Sequence, residues 1–424
     1  MSKSYVTYKG DSSQTRQAKR SFRARIRIQK KRLERQAQHK VLQHELTLIR
    51  TAAESPVRYD KMVQRFCDVN NMKLWSKKRS RVVIQLSQDF NLFNNPSKVL
   101  RDLLYLLYDA KVYQGYPTIR YIDKVCFGAL YLVDNMCWEI ANHRLWKVTL
   151  QNMPASEHVK FAKVRSFESS DYDTEAACMV NERVHINRKG DDLSNQSYRT
   201  KSKQLRDMVA VAIAGAEDPN YELPFDAAQA IDSAISEQFD NVIQHVPNAN
   251  QASLCAFYDK VTKELTILIY NFGKTIAETL LPKNLPQPVR GEVEDIIRNH
   301  TKRFGFLIGS NFTQENALTL LALQEGISSK LLTDDTRGHG LIDYIEKCFE
   351  LQPLCRIAIV SGRTAIKIDQ KYPISLKNVL NRPRRILALN EDNDIYAKPD
   401  KTYVRTMDVA FNGVIIETTI PLIY

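Results

Sequence analysis

Three stretches of this chain, met in a fixed order, restrict what it can fold into. The first, Ala228–Val246, reads as a helix in which Glu237, Asn241 and His245 recur every four residues. That spacing places the three on one face, one turn apart. Ile235, Phe239, Val242, Ile243 and Val246 are left to pack against a sheet. The second stretch, Leu265–Tyr270, is a buried strand by its continuous apolar and β-branched run, and it ends on Asn271-Phe272-Gly273. The third is a polar loop, Ser328–Arg337, closed by Gly338-His339-Gly340 at the mouth of a helix. That helix carries Leu341, Ile342, Ile345, Cys348 and Phe349 as one apolar stripe.

The chemistry carried by these residue types points to a phosphorylated ligand. A side-chain carbonyl such as that of Asn241 is a hard oxygen donor suited to Mg²⁺. A carboxylate one turn before it, Glu237, can take a proton from an attacking hydroxyl or water. Glycines at 338 and 340 let the backbone approach a phosphate, and the helix beginning there offers free N–H groups to the anion. Lys330 and Arg337 flank the loop within reach of terminal phosphate oxygens, and the loop is polar enough to act as a lid. Each motif alone has a plain structural reading: a charged solvent face for the first, a turn for Gly-x-Gly. Order and context together argue otherwise.

In that order the three motifs resemble the ATP-binding domain shared by type II topoisomerases, mismatch-repair proteins, sensor histidine kinases and bacterial anti-sigma kinases, the GHKL or Bergerat fold. The resemblance covers residues 206–424, about half the chain. It implies an α/β sandwich in which helices cover one face of a mixed sheet, with ATP and Mg²⁺ as ligands. Glu237 matches the general base and Asn241 the Mg-binding residue, while His245 matches the anti-sigma-kinase variant. Leu341 follows the phosphate-loop glycines as it does in the family. Where the family has Asp-x-Gly-x-Gly for reading adenine, this chain has Asn271, Gly273 and Thr275. Where a Thr follows the glycine of the final strand, it has Val414 after Gly413. An amide is a neutral, weaker acceptor than a carboxylate, and it can also donate. The resemblance implies slow Mg-dependent ATP hydrolysis, or phosphoryl transfer, coupled to lid closure and partner binding. The alternative is a nucleotide-gated or catalytically silent binding module.

Ahead of this half the chain changes character twice. The formal net charge of +13 is concentrated in residues 1–40, where thirteen Lys and Arg face only Asp11 and Glu34. Residues 1–55 read as a basic helical arm, and its segment 16–40 suits an anionic macromolecule, either nucleic acid or an acidic protein surface. Residues 56–150 alternate strand and helix: Arg81–Leu86, Ser97–Leu107, Thr118–Ile122 and Phe127–Asn142. Thr118–Met136 weakly resembles the central turn of STAS domains, although Cys126 and Phe127 stand before Gly128 where such domains place a phosphorylatable Ser. Residues 151–205 are a polar connector. The cysteines, at 67, 126, 137, 178, 255, 348 and 355, show no CxxC spacing and read as buried thiols. With no zinc-ligand spacing, signal-peptide core or membrane-length apolar run, the expectation is a bacterial, cytoplasmic protein without a membrane span.

Overall fold

A computed structural model describes residues 69–70, 83–87, 89–112, 118–122, 126–133, 149–151, 172–173, 177–185, 207, 251–285, 287–301, 312–327, 340–379 and 382–422. The arm, Glu237, Asn241, His245, the lid, Lys330, Arg337, Gly338 and His339 lie outside these residues. All the described residues belong to one contact unit, 56–424. Among them no helix is long and apolar enough to cross a membrane.

The fold is mixed α/β. Strands β1 (Val83–Leu86), β2 (Thr118–Tyr121) and β3 (Thr149–Gln151) form a parallel sheet in that order, with helix α1 (Pro96–Val112) between the first two. Helix α1 starts where the Asn91 carboxamide accepts from the backbone of Phe93 and Asn94, and Pro96 occupies its first position. A missing N–H costs nothing there. Val99, Leu100, Leu103, Leu104 and Leu106 of α1 are buried, as are residues 127–133 of a following helical segment.

The larger sheet has six strands in the order β4-β5-β6-β7-β11-β8. They are β4 (Tyr172–Asp173), β5 (Ala177–His185), β6 (Gln251–Asp259), β7 (Glu264–Phe272), β8 (Arg356–Ile368) and β11 (Val404–Pro421). Every pairing is antiparallel, so this sheet is not the mixed one expected. Nor is it covered on one face only. Side chains alternate along a strand, so β7 sends Leu268, Tyr270 and Phe272 one way and Leu265, Ile267 and Ile269 the other. The first set joins Phe411 and Ile415 of β11 with α1, Phe127 and Tyr131 in one apolar cluster. The second joins Ile416 and Ile420 with helices α4 (Gln314–Leu321) and α5 (Gly340–Leu351). A strand apolar at both parities needs cover on both sides, and the N-terminal layer supplies one of them.

Polar contacts reinforce that junction. Asn70 brackets the backbone of Ala410, donating to its carbonyl at 2.9 Å and accepting from its N–H at 2.7 Å. Arg405 donates to the carbonyls of Asn94 and Phe93, and Arg101 pairs with Asp408.

A third cluster lies under a hairpin of β9 (Ser375–Val379) and β10 (Arg382–Ile386). Val379 and Ile386 pack with Ala277 and Leu280 near the short helix α2 (Ile276–Thr279) and with Val289, Val293 and Ile296 of α3 (Gln287–Thr301). Arg384 of β10 reaches both oxygens of Glu292 at 2.9 Å, with that carboxylate almost fully buried.

By sequence Ser361-Gly362 reads as a hairpin turn between the strands Arg356–Val360 and Ala365–Ile368, but both residues lie inside β8. Gly362 has φ +58° and sits where the β8–β11 register shifts, facing Phe411 while Ser361 faces Val414. The glycine therefore accommodates a bulge. Pairing with the 18-residue β11 keeps β8 continuous on either side of it.

Candidate functional site

The row Ala252–Asn271–Val414–Ser361 crosses β6, β7, β11 and β8 as register partners. Two positions singled out in the sequence 143 residues apart, Asn271 and Val414, thus stand directly opposite each other. By strand parity Asn271 belongs to the face packed by α4 and α5, the same face as Ile269 and the half-buried Val414. Its side chain is 3% exposed, and its amide Nδ2 meets no hydrogen-bond acceptor among the described residues. A buried donor left unmet carries a penalty of about 1–3 kcal/mol.

Backbone geometry around this amide is unusual. Gly273 and Gly413 both have φ +150°, and the Gly273 N–H donates to the Asn412 carbonyl at 3.0 Å. A Cβ at Gly413 would fall 1.9 Å from the backbone oxygen of Asn271. Only glycine permits β11 to approach β7 so closely here. Ser361 ties the fourth strand in: its Oγ donates to the Gly413 carbonyl at 3.2 Å and accepts from the Ile276 N–H at 2.8 Å.

Thr275 has a local reason for being there. It caps α2 in a reciprocal box, its Oγ1 accepting from the Glu278 N–H while Glu278 accepts from the Thr275 N–H. A glycine would remove one of those bonds. Helix capping therefore accounts for a threonine at this position.

Helix α5 begins at Gly340. Leu341 is half-buried, and Ile342, Ile345 and Cys348 are buried. Two contacts fix its direction. Tyr344 shares a hydrogen bond with Thr418 of β11, and the Cys348 thiol is hydrogen-bonded to that of Cys355, just before β8. Passing from 344 to 348, the helix moves toward the start of β8. Its N-terminus is accordingly directed toward the end of the sheet where Asn271, Val414 and Ser361 lie. Asp343, in its first turn, pairs with Arg385 at 2.7 Å, and Arg385 also holds Glu325 and Glu346. One guanidinium is thus shared among three carboxylates, and Asp343 lies among them in the first turn of the helix.

Sequence reasoning missed Ser361, Tyr344 and Thr418, and it missed Glu417. That last carboxyl lies on the opposite face, 2% exposed, with Oε2 unpartnered among the described residues. Burial pushes its pKa up to about 7, partly offset by Arg356. Oε2 packs against the Cα of Gly128, where a Cβ would fall 1.6 Å away. The Cys126 thiol beside it is held protonated by burial and by that carboxyl. Cys255, Cys348 and Cys355 are buried free thiols, as read from the sequence, whereas Cys126 is half-buried. Among the described residues no three His, Cys, Asp or Glu side chains gather as a metal site.

Comparison with protein-family models, curated proteins and solved structures finds no match to this chain.

Proposed function

We propose that residues 206–424 form a GHKL-type nucleotide-binding domain, and that the chain is a regulatory protein whose contacts depend on bound Mg-nucleotide, ATP by the resemblance. One observation carries the reading. Asn271, Gly273, Gly413 and Val414, chosen from separate motifs, occupy one end of the sheet, and the N-terminus of α5 is directed toward that end. An unmet buried donor and a helix start suit the base and the phosphates of one ligand. In this reading Asn271 and Gly273 line the base, and Gly338, His339, Gly340 and Leu341 hold the phosphates together with Lys330 and Arg337. Asn241 holds Mg²⁺, and Glu237 accepts the proton. The bound group supplies a phosphoanhydride for slow hydrolysis or transfer.

The second reading, a nucleotide-gated module with no turnover that contacts an anionic macromolecule through residues 16–40, is favoured by Asn271 and Val414. Neither residue reproduces the family's adenine contacts.

Calorimetry on the full chain with Mg-nucleotide tests both. Binding that Asn241→Ala and Gly340→Val abolish, with the thermal melt unchanged, is the expected result. No heat with any nucleotide at millimolar concentration removes the domain assignment. Glu237→Gln separates the two readings. A wild-type rate that this change lowers about 10²–10⁴-fold supports the enzyme. Binding without turnover in the wild type supports the gated module.

A further inference from the structure

Two of the buried free thiols are brought together by the fold. We propose that Cys348 and Cys355 are an oxidant-sensitive pair that closes to a disulfide, stapling the end of α5 to the start of β8. Six residues separate them in the sequence, a spacing that carries no thiol motif. Two successive turns of the backbone set them side by side. The Gln352 N–H donates to the Cys348 carbonyl at 3.0 Å as the helix ends, and the Cys355 N–H donates to the Gln352 carbonyl at 2.9 Å. The two thiols are hydrogen-bonded to each other. Tyr344, one turn earlier on α5, reaches the Cys348 sulfur as well as Thr418.

The pair is asymmetric. Cys348 is 5% exposed and Cys355 1%, while Pro353 and Leu354 between them lie in an exposed turn. Burial holds the Cys355 thiol protonated, so the resting state is two free thiols and closure calls for a small, neutral oxidant. Hydrogen peroxide is of that class. The Cys348 sulfur attacks one peroxide oxygen. An S–O bond forms as the O–O bond breaks, and the departing hydroxide takes the Cys348 thiol proton as water. The sulfur of Cys355 then attacks that of Cys348. The S–S bond forms as the S–O bond breaks, and the leaving hydroxide takes the Cys355 proton as a second water. Two electrons pass from the thiols to the peroxide. A neighbouring thiol already in place outruns the further oxidation that would carry Cys348 irreversibly to the sulfinic acid.

The test treats the full chain, folded, with millimolar hydrogen peroxide, then unfolds it and alkylates it with N-ethylmaleimide. Trypsin cuts after Lys347 and Arg356, so both cysteines fall in one peptide, Cys348–Arg356. The expected result is that peptide two hydrogens lighter than its reduced form, carrying no maleimide, and returned to the reduced mass by dithiothreitol. A peptide that takes maleimide on both cysteines after treatment overturns the pair and leaves two thiols that only fill the core. A disulfide from either one to a third cysteine, or Cys348 found as the sulfinic acid, overturns it too. Cys355→Ser reads the order of attack: with its partner gone, Cys348 should persist as a sulfenic acid and take up dimedone, while Cys348→Ser should leave Cys355 unmodified. Dimedone on Cys355 in the second variant overturns the assigned order. The wild-type peptide decides the pairing whatever either serine does to the fold.

Discussion

Among the described residues, opposite faces of the six-stranded sheet hold two fully buried polar side chains with an unmet atom, Glu417 on one and Asn271 on the other, and the two are unlike in kind. On the face covered by α1 and residues 127–133, Glu417 lies mid-strand, its carboxyl against the Cα of Gly128, on the side of the sheet where Ile415, Phe127 and Tyr131 form the apolar cluster. On the face covered by α4 and α5, Asn271 lies at a strand end, among two positive-φ glycines and a register shift. The first is sealed in a packed interior. Its oxygen is accommodated by becoming a neutral acid, as its raised pKa indicates. The second cannot titrate, so only a partner can satisfy it. A buried polar atom at an irregular strand end invites a ligand; one in a regular, closed core tunes stability instead.

The largest effect that would break this comparison comes from Gly413. A Cβ there meets the Asn271 carbonyl at 1.9 Å and must also adopt φ +150°. Backbone cannot yield as a side-chain tip can. Gly413→Val should therefore cost about 3 kcal/mol or more, read as a lowered denaturant midpoint at unchanged slope. A cost near zero would mean that β7 and β11 are not locked together at this end, and the irregularity around Asn271 would lose its meaning.

Next in size is the titration of Glu417. Its folded pKa of about 7 stands above the ordinary carboxylate value of 4.5. A raised folded pKa gives stability that is complete below the unfolded value and is lost as pH rises through the folded one. Glu417→Gln should match the wild type near pH 4.5 and exceed it at pH 9 by up to about 3 kcal/mol, since each tenfold change in proton affinity is worth roughly 1.4 kcal/mol. Cys126 stays protonated through this range, and Arg356 is paired with Glu264 at 2.9 Å, so neither masks the slope. Identical pH profiles for the two proteins would show that the carboxyl reaches water, and the two faces would then not differ as described.

How much of this was legible beforehand follows the same division. Strand β7 announced itself through six consecutive apolar or β-branched residues, and α5 through a stripe from Leu341 to Phe349, because burial of a whole face leaves a period in the sequence. The pairing of Asn271 with Val414 depends on a register that no local pattern encodes. The cover of both sheet faces went unread because the residues packing on one of them come from before residue 134, too far away for periodicity to connect. Hairpin β9–β10 left no signal either: Leu376, Lys377 and Asn378 are exposed, and its fixing contacts are Arg384 and Arg385 with distant carboxylates. Gly362 misled for a physical reason, since a bulge and a turn both ask for positive φ.

The smallest predicted effect is the one that separates the two faces most directly. Asn271→Val replaces the unmet amide with an apolar, β-branched side chain of comparable size, well suited to a strand between Val414 and Ala252. If the amide is kept for a ligand, its removal relieves a buried unmet donor, and the protein without nucleotide should gain about 1 kcal/mol. The same change should lose nucleotide binding, the opposing signs expected of a residue kept for function at some cost in stability. Denaturant unfolding without nucleotide, set beside calorimetry with Mg-ATP, measures both signs on one protein. A variant that is less stable than the wild type would mean that the amide already holds the strand end together. Asn271 would then belong with the residues that build the sheet, and the contrast with Glu417 would reduce to one of position alone.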